Sequence, residues 1–394
     1  MHKLLVSAPA LLIAFGTAAS AQTVKIGVIN TLSGPDVQQG EMLERGLELY
    51  DKLHAKDLGG VKVELVKRDD TGLNPDTAKR LAQELVTRDH VNLITGFVWS
   101  PNFMAVAPVA TQGKVPMVSL NAAALPAVGM SPFMVRTSFT LTQQAYPLGK
   151  WAAKQGYKKA YTAATDYAPG NEGAAAFTKS FTEAGGQVIG SVKFPAPPQT
   201  PDFAPFLQKV KDAKPDVLYV FVPAGAQATS VLRAVHDLDF KGAGITVIST
   251  EDLDPDEEFP NIGSLGVGLV TSGVYDSDAT RPGNKEFVAD YYKQYGTKLA
   301  PDFETADAWS GMKMIFDMIK ATKGKFTGEQ AMDFFSHYKD SNGPKGEWLI
   351  DPSTRQIVQN VYMRRLEMRN GKLFDTEFDN LGLMDAMGQP YAAK

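Results

Sequence analysis

The stretch Gly96-Phe-Val-Trp-Ser-Pro-Asn-Phe103 places an indole, a hydroxyl and a proline directly after a short apolar run. Ser100 followed by Pro101 is typical of a helix N-cap with a first-turn proline, so free backbone N–H groups and a positive helix end are expected there. A hydroxyl beside such groups is suited to holding a carboxylate, and Trp99 would add an apolar wall. An equally good interpretation is structural: Ser100 only caps its helix, and Trp99 belongs to the core.

A second loop of the same kind follows the next apolar run, "VPMVSL", and begins at Asn121. If both runs are parallel strands, the two loops lie at the same edge of a sheet, where open α/β sheets bind their ligands. The small side chains at 122–124 would let a ligand approach the backbone. We therefore expect the N–H groups around Ala122 and Ala123 to share a carboxylate with Ser100.

Residues for catalysis or metal binding are scarce. The five histidines are scattered, no H-E-x-x-H or G-x-S-x-G motif occurs, and the absence of cysteine excludes disulfides, thiolate metal sites and a lipid-modified N-terminal cysteine. The acidic clusters at 69–70 and 251–258 resemble ordinary exposed turns. These observations predict a protein that is not an enzyme and that uses no cofactor or metal.

Alternating strand-like and helix-like segments must position the two loops. In the first half we expect strands at 23–29 and 61–69, a helix at 40–55, a helix starting at Asn74-Pro75, and a helix at 101–112. In the second half we expect strands at 159–165, 186–194, 216–222 and 244–250, with helices at 173–184 and 226–238. The pattern predicts an α/β fold of two Rossmann-like lobes with parallel sheets flanked by helices. Residues 372–394 lack periodicity, which predicts a tail on the surface.

The N-terminal "MHKLLVSAPALLIAFGTAASA" is typical of a secretory signal peptide, with cleavage before Gln22. Its apolar run is too short to span a bilayer, so we expect an exported protein of the periplasm without a lipid anchor. Charge is nearly balanced, with 40 Lys and Arg against 44 Asp and Glu, which argues against nucleic acid as a partner. No long apolar surface stripe is evident, and this favours a monomer.

Several short motifs occur in order along nearly the whole mature chain: "VKIGVINTLSGP" (24–35), "VPMVSLNAA" (115–123), "DYAPG" (166–170), "ADAWSGMKMI" (306–315) and "GP…W" (343–348). In this order and spacing the chain resembles the periplasmic solute-binding proteins of ABC transporters of the branched-chain amino acid (leucine/isoleucine/valine-binding) family, with the type I periplasmic binding fold. The resemblance implies two lobes joined by three hinge crossings. Lobe 1 would comprise 22–139 and 277–352, and lobe 2 would comprise 140–276 and 353–394. They would close around one small molecule like a Venus flytrap and deliver it to a membrane permease.

In that family, residues matching Ser100, Ala122 and Ala123 hold the ligand carboxylate. Three positions depart from the amino-acid-binding pattern, because Gln39, Pro169 and Ala224 stand where aromatic residues are usual. Glu251 lies where amino-acid binders place an acid for the α-ammonium group. The predicted ligand-binding residues are Gln39, Trp99, Ser100, Asn121, Ala122, Ala123, Tyr167, Pro169, Ala224, Glu251 and Tyr275.

These departures favour a small apolar monocarboxylate, preferably an aromatic acid, with Trp99, Tyr167 and Tyr275 as walls. A branched-chain amino acid bound by the same mechanism is the alternative. A ligand sensor or regulator on the same fold is a further alternative. The signal peptide argues against it, because a cytoplasmic regulator has no reason to carry one.

Overall fold

Two β-sheets and the helices around them organise the molecule. A computed structural model describes residues 22–196 and 202–392, so the predicted signal peptide lies outside the described residues. The first sheet has five strands and the second has nine. The alternation read from the sequence is confirmed for most elements, and the differences are confined to short helices and to the C-terminal strands.

The first sheet is parallel throughout, with strand order β2-β1-β3-β4-β5. Its elements are β1 Thr23–Asn30, α1 Val37–His54, β2 Lys62–Asp69, α2 Pro75–Thr87, β3 Leu93–Gly96, α3 Ser100–Ala105, α4 Ala107–Gly113, β4 Met117–Ser119 and β5 Met134–Arg136. Asn74 caps α2 as predicted, since its Oδ1 accepts a hydrogen bond from Thr77 N at 3.2 Å. The single helix predicted at 101–112 is two short helices instead.

The second sheet is mixed, with strand order β11-β12-β13-β10-β9-β8-β6-β7, and β14 pairs with β13. Its parallel part comprises β6 Lys159–Thr165, β7 Gln187–Phe194, β8 Val217–Phe221, β9 Thr246–Thr250 and β10 Val270–Gly273. Its antiparallel part comprises β11 Lys339–Gly343, β12 Gly346–Ile350, β13 Ile357–Arg369 and β14 Lys372–Met384. The helices beside it are α5 Leu141–Lys154, α6 Ala168–Glu183, α7 Ala204–Ala213, α8 Ala226–Asp237 and the short α9 Phe259–Ile262.

Three helices lie between β10 and β11: α10 Pro282–Tyr295, α11 Phe303–Thr322 and α12 Gly328–Ser336. The long α11 packs against α1 of the first half. Gly46 permits this close approach, because a Cβ atom there would lie 2.1 Å from the Thr305 carbonyl oxygen. Tyr50 of α1 contacts Trp309 and Phe316 edge to face in the same interface.

The predicted surface tail at 372–394 is wrong, because residues 372–384 form β14 along β13. The connecting turn, Asn370-Gly371, has positive φ at both residues, as a tight hairpin turn requires. The strand shows no clean alternation because only three of its thirteen residues are buried.

The hairpin β11–β12 is hydrogen-bonded to β13 of the second sheet, although the predicted lobe division placed it in lobe 1. The same hairpin also contacts α11, because Lys345 pairs with Asp307 at 2.5 Å. The division into two lobes with three crossings therefore stays a prediction.

Candidate functional site

A small cavity lies between the two sheets, beyond the carboxyl ends of their parallel strands. Its volume is about 280 Å³, which includes space open to solvent. The lining residues are Gln39, Val98, Trp99, Ser100, Asn121, Ala123, Phe139, Leu141, Tyr167, Pro169, Pro223 and Asp252. Loops after β3 and β4 form one side, and loops after β6, β8 and β9 form the other. This is the place where parallel α/β sheets bind ligands.

Ser100 lines the cavity, but it is not the N-cap that the sequence predicts. Trp99 occupies the cap position with extended backbone, and Ser100 is the first residue of the six-residue α3. Ser100 Oγ instead accepts a hydrogen bond from Ala124 N at 2.9 Å. Because the oxygen is held as an acceptor, the hydroxyl hydrogen is left to donate to a partner in the cavity. A helix this short contributes little dipole, so the hydroxyl itself is the principal polar feature.

The backbone N–H groups after β4 differ in availability. Ala122 N donates to Phe97 O at 2.9 Å, and Ala122 does not line the cavity. The expectation that its N–H holds a ligand is therefore wrong. Ala123 does line the cavity, and within 22–196 and 202–392 its N–H has no hydrogen-bond acceptor. The Ser100 hydroxyl and the Ala123 N–H thus form a pair of free donors.

Asn121 and Gln39 bring polar side chains to the cavity that are already hydrogen-bonded within the protein. Asn121 Nδ2 donates to Glu304 Oε1 at 2.9 Å. Gln39 Nε2 donates to the Ala224 carbonyl oxygen at 3.1 Å, across the space between the two sheets. Ala224 itself does not line the cavity, and the neighbouring Pro223 takes that place. The side-chain amide of Gln39, a predicted ligand-binding residue, therefore bridges the two halves of the molecule.

Aromatic rings form the apolar wall. Trp99 is 1% exposed, and its ring meets Tyr167 edge to face with centroids 6.3 Å apart. Tyr167 stacks in turn on Phe221. Phe139, which the sequence reasoning missed, lines the cavity just before α5. The indole Nε1 of Trp99 is buried and has no acceptor among the described residues.

Two predicted residues lie away from the cavity. Glu251 is fully buried behind it, where its carboxylate accepts from Gln144 Nε2 at 2.5 Å and from Val274 N at 2.8 Å. Burial raises the pKa of Glu251 to about 8, although Arg364 opposes the shift. Tyr275 is buried against Phe287. Neither residue can form a cavity wall.

Asp252 lines the cavity in place of Glu251. It lies in a 3-10 turn after β9, where consecutive side chains point in different directions, so local pattern could not select between the two acids. Burial raises the pKa of Asp252 to about 7, although Thr250 opposes the shift. Its position after a parallel strand was the one available signal.

Several polar contacts join the two halves around the cavity. Gln38 Nε2 of α1 donates to Glu258 Oε1 at 3.0 Å, and Arg45 of the same helix pairs with Glu257. On the other side, Leu125 N donates to Glu172 Oε2 at 2.7 Å. The two halves therefore contact each other through side chains on both sides of the cavity.

A buried arginine supports the loop after β4. Arg136 Nη2 donates to the Ala124 carbonyl oxygen at 2.5 Å, and Nη1 donates to Gln356 Oε1 at 2.9 Å. Gln356 Nε2 then donates to Leu125 O at 2.8 Å. Burial lowers the pKa of Arg136 to about 9, although Glu172 opposes the shift. These contacts hold the segment that contains Ala123, whose N–H is free, and Ala124, whose N–H donates to Ser100.

None of the described helices is long and apolar enough to cross a membrane. In the same part of the chain, no group of three or more His, Asp or Glu side chains is arranged to hold a metal ion.

The chain is similar in sequence to known proteins over most of its length. The family model described as "Periplasmic binding protein" matches residues 23–372. A curated relative, "Leu/Ile/Val-binding protein homolog 6" of Brucella melitensis, is 36% identical over 366 residues, covering 93% of each chain.

Two solved structures are similar over almost the entire chain. A solute-binding protein of an ABC transporter from Rhodopseudomonas palustris BisB5, in complex with 3,4-dihydroxybenzoic acid, is 40% identical with a TM-score of 0.86 and covers 92% of this chain and 98% of its own. Another from R. palustris, in complex with 4-hydroxybenzoate, is 39% identical with a TM-score of 0.87 and covers 91% and 97%.

Proposed function

The chain belongs to the periplasmic binding protein family, and on that premise we propose that it binds one small aromatic monocarboxylate in the cavity between its sheets. Membership confirms the family and the fold class predicted from the sequence. The family consists of solute-binding proteins of transport systems and is not a class of enzymes.

One observation carries the proposal: free hydrogen-bond donors and aromatic rings line the same cavity. The Ser100 hydroxyl and the Ala123 N–H would hold the ligand carboxylate, since hydrogen bonds to a charged acceptor are the stronger kind. Trp99, Phe139 and Tyr167 would enclose a flat ring, and aromatic pairs contribute about 0.5–1.5 kcal/mol beyond simple burial. The hydroxybenzoates bound by the two R. palustris proteins support this ligand class.

A branched-chain amino acid is the second candidate, and Asp252 is the observation that favours it. A carboxyl group that faces the cavity suits an α-ammonium group, and the name of the Brucella relative refers to leucine, isoleucine and valine. We rank it second because three aromatic rings line the cavity beside its one carboxyl group and because the two R. palustris relatives carry aromatic acids.

The wider role follows from the family and stays part of the proposal. The protein would work in the periplasm as a monomer, released there by cleavage of the signal peptide. Closure of the two lobes would bury the ligand and present a closed shape to the membrane permease of an ABC transporter. The contacts of Gln38, Arg45 and Leu125 across the cavity would then belong to the closed state.

A ligand panel tests the proposal. Thermal denaturation is recorded with benzoate, hydroxybenzoates, phenylpropenoates, aromatic keto acids, leucine and valine, followed by calorimetric titration of the best ligands. A ligand at one hundred times its Kd adds about 2.7 kcal/mol to the free energy of unfolding, which gives a clear rise in Tm. Stabilisation by leucine or valine, with none by any aromatic acid, would contradict the proposed ligand class.

A further inference from the structure

Asp252 carries the only carboxyl group among the described residues that line the cavity. The residue is 7% exposed, and its one side-chain hydrogen bond comes from Thr250 Oγ1 to Oδ2 at 3.1 Å. Arg364 is near enough to lower the pKa of Asp252, but its guanidinium group pairs with Asp254 at 2.7 Å instead. Within 22–196 and 202–392, Asp252 takes part in no ion pair, so it retains unused acceptor capacity toward the cavity.

Glu304, another acid near the cavity, is placed differently. Its Oε1 accepts from Asn121 Nδ2 at 2.9 Å, and its Oε2 is buried without a hydrogen-bond partner among the described residues. It stands behind Asn121 and does not line the cavity. Asp252 is therefore the acid that a ligand meets.

The polar groups that line the cavity come from loops of both sheets. Ser100 and Ala123 follow strands of the first sheet, and Asp252 follows β9 of the second. The Ser100 side offers donors, which suit a carboxylate. The Asp252 side offers carboxyl oxygens as acceptors, and above its pKa of about 7 its negative charge would also repel a ligand carboxylate placed there. A ligand that satisfies both sides has its carboxylate on one side and a hydrogen-bond donor on the other.

Building on the proposed function, we propose that Asp252 accepts a hydrogen bond from a hydroxyl group on the aromatic ring of the bound acid, at the end of the ring remote from its carboxylate. The hydroxyl supplies the donor that the protein leaves unmatched. A ring without it would bury the Asp252 carboxyl unpaired, which is costly in a site that excludes water. The residue thus distinguishes hydroxylated aromatic acids from unsubstituted ones.

Calorimetric titration of the full mature protein tests this assignment. The ligands are 3-hydroxybenzoate, 4-hydroxybenzoate, benzoate and 4-fluorobenzoate, which has nearly the size of the 4-hydroxy compound but no donor. At pH 8, where most of the Asp252 carboxyl is ionised, we expect the better hydroxybenzoate to bind about tenfold to a hundredfold more tightly than 4-fluorobenzoate, the range for a hydrogen bond to a charged group. Asp252→Ala should reduce that ratio to about threefold or less, with benzoate affinity held or improved.

Asp340→Asn is the matched control, because Asp340 is a buried carboxyl in β11 that does not line the cavity. It should leave the ratio unchanged. If Asp252→Ala does not fold, the comparison of ligands on the wild-type protein and on Asp252→Leu, which has no acceptor, still decides. A wild-type ratio below about twofold for both hydroxybenzoates overturns the assignment, as does a ratio that survives removal of the carboxyl.

Failure of the proposed function would look different. If no aromatic acid binds and leucine does so through Asp252, then the ligand class is wrong and the hydroxyl assignment is overturned with it. If the aromatic acids bind equally well with and without a hydroxyl, the proposed function stands and only the assignment to Asp252 fails.

Discussion

Replacing Ser100 by alanine separates the two roles that this hydroxyl has in the structure. As donor, it would hold the ligand carboxylate, and a hydrogen bond to a charged group contributes about 1.5–3 kcal/mol. Its loss should raise the Kd about tenfold to a hundredfold. As acceptor, Ser100 Oγ satisfies Ala124 N at 2.9 Å, and leaving that buried N–H unpaired should lower the free energy of unfolding by about 1–3 kcal/mol.

Calorimetric titration with the best aromatic acid measures the first effect, and urea denaturation of the ligand-free protein measures the second. Ser310→Ala is a matched control, because this buried hydroxyl donates to Ala306 O at 2.7 Å within α11 and does not line the cavity. It should leave the Kd unchanged. If Ser100→Ala loses stability while the Kd stays within twofold of wild type, Ser100 has only a structural role and the reasoning about the carboxylate is refuted.

Three further predictions concern the surroundings of the cavity. Arg136→Lys should weaken ligand binding several-fold, because lysine keeps the charge but cannot hydrogen-bond Ala124 O and Gln356 at the same time as the arginine fork does. Calorimetric titration measures the Kd, and an unchanged Kd would contradict this prediction. Glu257→Gln should raise the Kd about twofold to fivefold, because it removes the ion pair with Arg45. Added salt should reduce the difference in Kd between variant and wild type, and a difference that salt does not affect would argue against an electrostatic contact. The pKa of Asp252 is raised to about 7 by burial, so its contribution to folding is present below the unfolded value near 4 and is lost as the pH rises through about 7. Asp252→Asn should therefore flatten the fall in unfolding free energy between pH 4 and 7 in urea denaturation, and an unchanged slope would contradict that assignment.

Local pattern in the sequence was enough for much of the fold. Strand and helix alternation, the Asn74 cap and the order of motifs predicted parallel α/β sheets and the family. The pattern also located the two loops at the carboxyl ends of β3 and β4, because neighbouring parallel strands must end at the same edge. The prediction of a surface tail overlooked the hairpin turn at Asn370-Gly371, which is a short-range sequence signal for the pairing of β13 with β14.

Which polar groups are free in the cavity was decided only by tertiary structure. Ser100 looks like a helix cap by sequence, yet its oxygen is taken by Ala124, and the N–H of Ala122 is used by Phe97. The choice of Asp252 over Glu251 depends on how the turn after β9 packs against Gln144 and Arg364, residues far away along the chain. The sequence by itself determined most strands and helices of the parallel sheets and the loops that meet, because periodicity reports which face of an element is buried. Hydrogen-bond pairing in those loops depends on partners brought together by folding, and no local pattern encodes it.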